Sequence, residues 1–244
     1  MTARQATYLL HRWLGLVVGL QLLAWSGGGF LFSVLDIHAV RGEDASRGVV
    51  GRPLDPSLLP ASEFTSVEDL GGPASATLID RGAGPRWELR DSAGVLLAVI
   101  DARTAAPAEL IDADQAARIA AADFREPPAV ASVGLLEADP PVEYRGRPLP
   151  AWRVAFADAR RTHVYVDART GAIAARRNRL WRVFDFFWML HTMDYRGRDD
   201  FNNPLLTAFS VLALATSAAG IALWGWRLAP RRRGGLRRRR ATGA

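Results

Sequence analysis

The 244-residue chain contains no cysteine. That excludes disulfides, c-type haem attachment, Fe–S clusters and thiolate zinc sites. It also contains no lysine, so all 31 basic residues are arginine. This is a genomic composition bias rather than a mechanism. No metal-protease helix motif, nucleophile elbow or phosphate loop occurs. Ser26 and Ser217 have no base beside them. The paired carboxylates Asp199-Asp200 and Asp112/Asp114 suit a loop and a helix start. Nothing points to a hydrolase.

Charge is missing from two long stretches. Trp13 to Leu35 is 23 residues without a charge, and Leu205 to Trp226 is 22. A helix needs about 20 apolar residues to cross the hydrocarbon core. Two spans follow. The first has too long an apolar run for a cleaved signal and no A-x-A site, so it reads as an uncleaved signal-anchor. The net charge of +6 would suggest nucleic acid, but its distribution argues otherwise. All 25 acidic residues lie between Asp36 and Asp200, together with 21 arginines, a net of −4. The other 10 arginines flank the spans: Arg4, Arg12, and eight from Arg227 to Arg240. Such asymmetry is a topology signal. It puts both termini in the cytoplasm and the middle segment outside. The runs Arg231–Arg233 and Arg237–Arg240 read as a solvated tail touching anionic lipid, not a nucleic-acid site.

The expected organisation is then a cytoplasmic leader (1–12), a first transmembrane helix (13–35) and a linker (36–59) carrying Pro53 and Pro56, with Pro60 just after it. An outer domain (60–178), an amphipathic interfacial helix with its connector (179–203), a second transmembrane helix (204–226) and an Arg-rich tail (227–244) complete it. Gly15 and Gly19 stand four apart, and Ser26 precedes three glycines; small residues let another helix approach closely. The outer domain holds a weak repeat, 60–111 and 112–178. Trp87-Glu88-Leu89-Arg90 leads to Asp101-Ala102-Arg103-Thr104, and Trp152-Arg153-Val154-Ala155 leads to Asp167-Ala168-Arg169-Thr170. Each copy reads as two strands and a turn. Trp152, Val154 and Phe156 alternate, as do Val164 and Val166, which predicts one buried sheet face. His163 falls on the opposite face as an ordinary exposed residue. Asp112 is the expected N-cap of an Ala-rich helix running to about Phe124 and ended by Pro127-Pro128. The fold class is α+β: two transmembrane helices flanking a periplasmic domain of antiparallel strands and helices.

Leu180, Phe184, Phe187, Trp188, His191 and Tyr195 fall at helical spacing on one face, with Arg179, Arg182 and Asp185 on another. This predicts an aromatic helix at the membrane interface. Pro204 suits the start of the second span.

The residues from Trp152 to Arg176 resemble the PepSY domain. Leu10-His11-Arg12-Trp13-Leu14-Gly15-Leu16 resembles the first-helix signature of PepSY-associated transmembrane proteins. Phe186-Phe187-Trp188-Met189-Leu190-His191-Thr192-Met193-Asp194-Tyr195, with Asp200 to Leu206 after it, is similar to a short two-helix branch of that family. The resemblance covers nearly the whole chain. It implies two classes of function. Larger members, with four transmembrane helices, resemble ferric-siderophore reductases that pass electrons across the inner membrane through b-type haems with paired histidines. PepSY domains elsewhere resemble inhibitory or binding modules of secreted peptidases. This chain departs from the large members in having half as many helices.

Haem b takes axial ligands, and neutral imidazole suits iron. On the resemblance, His11 and His191 are the expected ligands and His38 a third candidate, with Arg12 and Arg182 as propionate partners. His11 and His38 are 27 residues apart, roughly 40 Å on a helix, and so on opposite sides. His11 and His191 also sit on opposite sides and cannot share one haem within a chain. Either a homodimer pairs His11 with His11 and His191 with His191, or His191 pairs with His38. The other reading is that these histidines are interfacial polar residues that bind no cofactor. The leading expectation is an inner-membrane component of transmembrane electron transfer, linked to ferric or flavin reduction, acting as a homodimer or with a membrane or periplasmic redox partner. The alternative is a non-enzymatic, membrane-anchored PepSY module that binds a periplasmic protein or peptide.

Overall fold

Alternating apolar residues between two uncharged runs dictate sheets between membrane-length helices, and the computed structural model has that order. It describes residues 2–48, 58 and 73–228. The linker prolines Pro53, Pro56 and Pro60, the start of the first repeat, and both arginine runs of the tail lie outside the described residues. Two units result: an α/β unit over 30–188, and a helical unit made of 1–29 and 189–244.

In the α/β unit, β1 (Ser75–Asp80), β2 (Pro85–Arg90) and β3 (Leu96–Asp101) form an antiparallel sheet in that order. After α3 (Ala113–Ala122), the strands β4 (Val130–Leu136), β5 (Ala151–Phe156), β6 (His163–Asp167) and β7 (Ile173–Arg177) form a second, again in sequence order and antiparallel. Asp112 caps α3 with a full capping box. Its carboxylate accepts from Gln115 N at 2.7 Å, and Gln115 Oε1 accepts from Asp112 N at 2.9 Å, which satisfies donors the helix itself leaves unpaired.

The two Asp-Ala-Arg-Thr segments form the same turn. Asp101 Oδ1 accepts from the N–H groups of Arg103 and Thr104, at 2.8 and 3.1 Å. Asp167 Oδ1 accepts from Arg169 and Thr170, both at 2.8 Å. An aspartate bonding its own backbone two and three residues on is a local solution any hairpin end accepts. The buried face is the expected one: Val154, Phe156, Val164 and Val166 pack with Ile111, Ala116, Ile119, Ala120 and Phe124. The other face is buried as well. Tyr165 packs with Tyr144, Ala151 and Ala175, so β6 is covered on both sides.

Residues 36–48 of the expected linker are folded onto this unit. Asp36 caps the short helix α2 (Ile37–Arg41), which Gly42 closes at φ +69°. Ser46 pairs with Phe124. Arg47 N donates to Asp123 O at 2.7 Å, and Arg160 Nη1 to Asp44 Oδ2 at 2.8 Å.

The helical unit holds most of α1 (Ala3–Val34), the end of α4 (Arg179–Thr192) and α5 (Pro204–Leu228). Both α1 and α5 are long and apolar enough to cross a membrane. At 1.5 Å per residue they measure roughly 48 and 37 Å, against a hydrocarbon core of about 30 Å. Leu16, Leu20, Leu23, Leu214 and Ile221 are 61–72% exposed, the surface a lipid-facing helix presents. Gly15 lies 4.0 Å, as a Cβ, from Thr216 Cγ2, while Gly19 has no neighbour within 4 Å.

Met193, at φ +53°, ends α4. Tyr195 therefore leaves the aromatic helical face and stands 50% exposed in the following turn. Asp194 organises that turn. Its Oδ1 accepts from Arg196 and Gly197 N–H at 3.1 and 2.9 Å, and its Oδ2 from Asp199 and Asp200 N–H, both at 3.2 Å. Those four bonds hold the Asp194 carboxyl below its ordinary range. Asn203 then caps α5, accepting from Leu206 N at 2.9 Å.

Candidate functional site

His11 sits in the seam between α1 and α5. Its Nδ1 is 3.1 Å from the Thr216 carbonyl oxygen. A carbonyl only accepts, so Nδ1 carries a proton, and the tautomer this selects has its lone pair on Nε2. Among the described residues no group hydrogen-bonds Nε2. The ring fits because position 220 is glycine: a Cβ there would lie 3.1 Å from His11 Cε1. Thr216 faces α1 and is buried. Arg12 is exposed and lies over the Trp13 ring at 5.7 Å.

His191 is on the last turn of α4. Its ring centroid is 6.0 Å from that of Trp25, tilted by 50°. Gln21 Nε2 donates to the neighbouring Leu190 carbonyl at 2.9 Å. Trp25 is 14 residues beyond His11 on one helix, an axial rise of roughly 21 Å. Two imidazoles on one metal ion, with bonds of about 2 Å, bring their nitrogens within about 4 Å. His11 and His191 of one chain stand at different levels of α1 and do not share an ion.

The other expected residues have protein partners. His38, 69% exposed in its side chain, holds Glu43 Oε2 at 2.7 Å through Nδ1. Arg182 belongs to a cluster the sequence reading missed. Its Nε donates to Glu143 Oε2 at 2.7 Å, its Nη2 to Glu143 Oε1 at 3.3 Å, and its Nη1 to the Arg161 carbonyl at 2.9 Å. His163 Nδ1 and the Tyr165 hydroxyl each reach Glu143 Oε1 at 2.6 Å. Thus His163 is on the expected sheet face but half-buried against a carboxylate. The signal was faint: Glu143 lies in a one-turn helix (Val142–Tyr144), 20 to 39 residues from its partners.

Burial alone pushes the Glu143 carboxyl up, but hydrogen bonds from His163, Arg182 and Tyr165 outweigh it and hold the group at about 2. Burial, then the bond to Glu143, pushes the Tyr165 hydroxyl up. Burial and the nearby Asp167 push Tyr144, stacked 4.4 Å from Tyr165, up to about 12. Burial and the neighbouring Arg147 bring Arg177 down to about 10. Near neutral pH, Glu143 is therefore an anion and both tyrosines are protonated. The cluster is an electrostatic strut that ties α4 to β6, not a proton-transfer site. Among the described residues no three His, Asp or Glu side chains come together as a metal site.

Residues 8–243 match the model of the PepSY-associated TM region. No curated protein and no solved structure matches the chain.

Proposed function

Because the chain belongs to the family of the PepSY-associated TM region, a membrane family, we propose that it is a bacterial inner-membrane protein that carries electrons across the membrane through haem b. The observation that carries this reading is His11, with Nδ1 fixed on the Thr216 carbonyl and Nε2 without a hydrogen-bond partner among the described residues. Histidines that ligate metals characteristically have one ring nitrogen fixed by a second-shell acceptor and the other open. The residues therefore fit haem at this level, and when bound it supplies a one-electron carrier. His11 Nε2 would hold the iron together with the His11 of a second copy of the chain. His191 forms the equivalent pair at the second level. Arg12, exposed beside His11, is the propionate partner. Arg182 is engaged by Glu143 and His38 by Glu43, so neither is assigned a role. The distribution of arginine supports cytoplasmic termini and a periplasmic α/β unit.

The test is the visible spectrum of the purified chain, expressed with ample haem, before and after dithionite. A b-type Soret and α-band is expected, reduced in His11→Ala and in His191→Ala. A colourless protein overturns the proposal and leaves the membrane-anchored binding module in its place.

A further inference from the structure

The α/β unit contains a cavity of about 420 Å³ whose charged walls are mostly cationic. Arg47, Arg81 and Arg118 line it, with Asp123 as its acid and Gly48, Gly82 and Gly171 on its rim. The three arginines come from three places: the segment after α2, the β1–β2 turn, and the exposed side of α3. Sequence proximity did not put them together.

The balance of charge in this cavity is decided by partners. Asp123 is already neutralised: Arg176 grips both of its oxygens, and Ser46 Oγ donates to Oδ1 at 2.8 Å. Arg81 is matched by the buried Glu88 and also donates to the Thr170 carbonyl at 3.2 Å. Among the described residues the Arg47 guanidinium donates only to a carbonyl, that of Arg125. Arg118 has no hydrogen bond or ion pair among the described residues. Among the described residues, two full positive charges therefore face the cavity without a paired counter-charge. The rim glycines fix the local backbone. Each has a positive φ (+75°, +105° and +70°) that L side chains rarely adopt. A Cβ on Gly171 would also press to 3.3 Å on Ile119 Cδ1.

We infer that this cavity is a binding site for a small oxyanion-bearing molecule, a carboxylate or a phosphate ester, held by the forks of Arg118 and Arg47. Guanidinium is planar, always charged and matched in geometry to both groups. The volume is within the range of small-molecule sites. The inference is independent of the haem reading, since it uses only residues of the α/β unit.

Calorimetric titration of the full chain in neutral detergent and low salt, with inorganic phosphate and separately with succinate, tests it. Saturable binding of at least one probe is expected, and which one binds identifies the anion class. Arg118→Ala should weaken binding about ten- to a hundredfold, the loss of a charge-assisted hydrogen-bonded contact, and Arg47→Ala should act likewise. Arg103→Ala removes the same charge from an exposed turn outside the cavity and should leave affinity unchanged. Failure of both probes to bind overturns the inference. So does an equal loss in Arg103→Ala, which would mean unspecific attraction. Circular dichroism of each variant confirms that the exposed substitutions leave the fold intact.

Discussion

Replacing Glu143 by alanine should unfasten α4 from the sheet. The carboxylate accepts from Arg182, His163 and Tyr165, at 2.6–3.3 Å, and its side chain is 15% exposed. Removing one member of a buried, hydrogen-bonded ion pair typically costs about 3–5 kcal/mol. Arg182 is 31% exposed and can rehydrate, which favours the lower end, about 3 kcal/mol. Linkage gives a figure of the same size. The Glu143 carboxyl falls from an ordinary 4.5 to about 2, and each unit is 1.36 kcal/mol, so ionisation contributes about 3 kcal/mol. Because the folded value is depressed, this stability is present above pH about 4.5. It is lost as the pH falls toward 2. The assay is urea denaturation in mild detergent, read by near-ultraviolet circular dichroism, to which the stacked Tyr144–Tyr165 pair contributes. Glu143→Gln should lose most of the stability at pH 7 and flatten the acid limb between pH 5 and pH 2. A double-mutant cycle with Arg182→Met should show coupling above about 1 kcal/mol. A Glu143→Ala variant within about 0.5 kcal/mol of the parent, with the acid limb unchanged, would refute the strut.

Gly220→Ala should push the His11 ring off α5, since the new Cβ meets Cε1 at 3.1 Å; a lower melting temperature of the detergent-solubilised protein, matched by His11→Ala, checks this. Asp194→Ala removes the acceptor of four backbone N–H groups, so amide exchange at residues 196, 197, 199 and 200 should quicken. In the parent, the protection of these amides relative to their intrinsic rates should fall as the pH drops below the ordinary carboxylate range, because the Asp194 carboxyl is held low. Asp112→Ala breaks the capping box of α3 and should cost about 1 kcal/mol in the same urea assay.

What could be read from the sequence was what depends on short-range pattern. The uncharged runs, the Asp112 cap and the valine face all follow from periodicity within a dozen residues, and all appear in the structure. The α1 helix begins at Ala3, ten residues before the charge-free run, because Arg4 and Arg12 are good helix formers and only the membrane span excludes them. Long-range pairing was illegible. Glu143 gains its meaning from residues on β6 and α4, and the Arg47–Arg81–Arg118 cavity from three separate elements. The end of α4 was misjudged because helical spacing continues to Tyr195, whereas Met193 adopts a left-handed backbone and Asp194 gathers the next N–H groups. A pattern of side chains carries no record of that backbone choice.

The two membrane-level histidines differ in kind, and this bears on the homodimer reading. His11 is held by an interhelical hydrogen bond to α5, so its ring orientation is set by the fold of one chain. His191 lies beside Trp25 and next to the Gln21–Leu190 bond, so its orientation depends on how the end of α4 seats against α1. On the haem proposal, a second chain that supplied the opposing imidazole would meet a ring oriented through α5 at the His11 level and one oriented through α4 and α1 at the His191 level. Gln21→Ala therefore separates the two levels. It removes the donor to Leu190, leaves the His11–Thr216 bond intact, and should diminish only the part of a haem spectrum that His191→Ala removes. Equal loss of the His11-dependent part would show that the two levels are not independent and would exclude this division of roles.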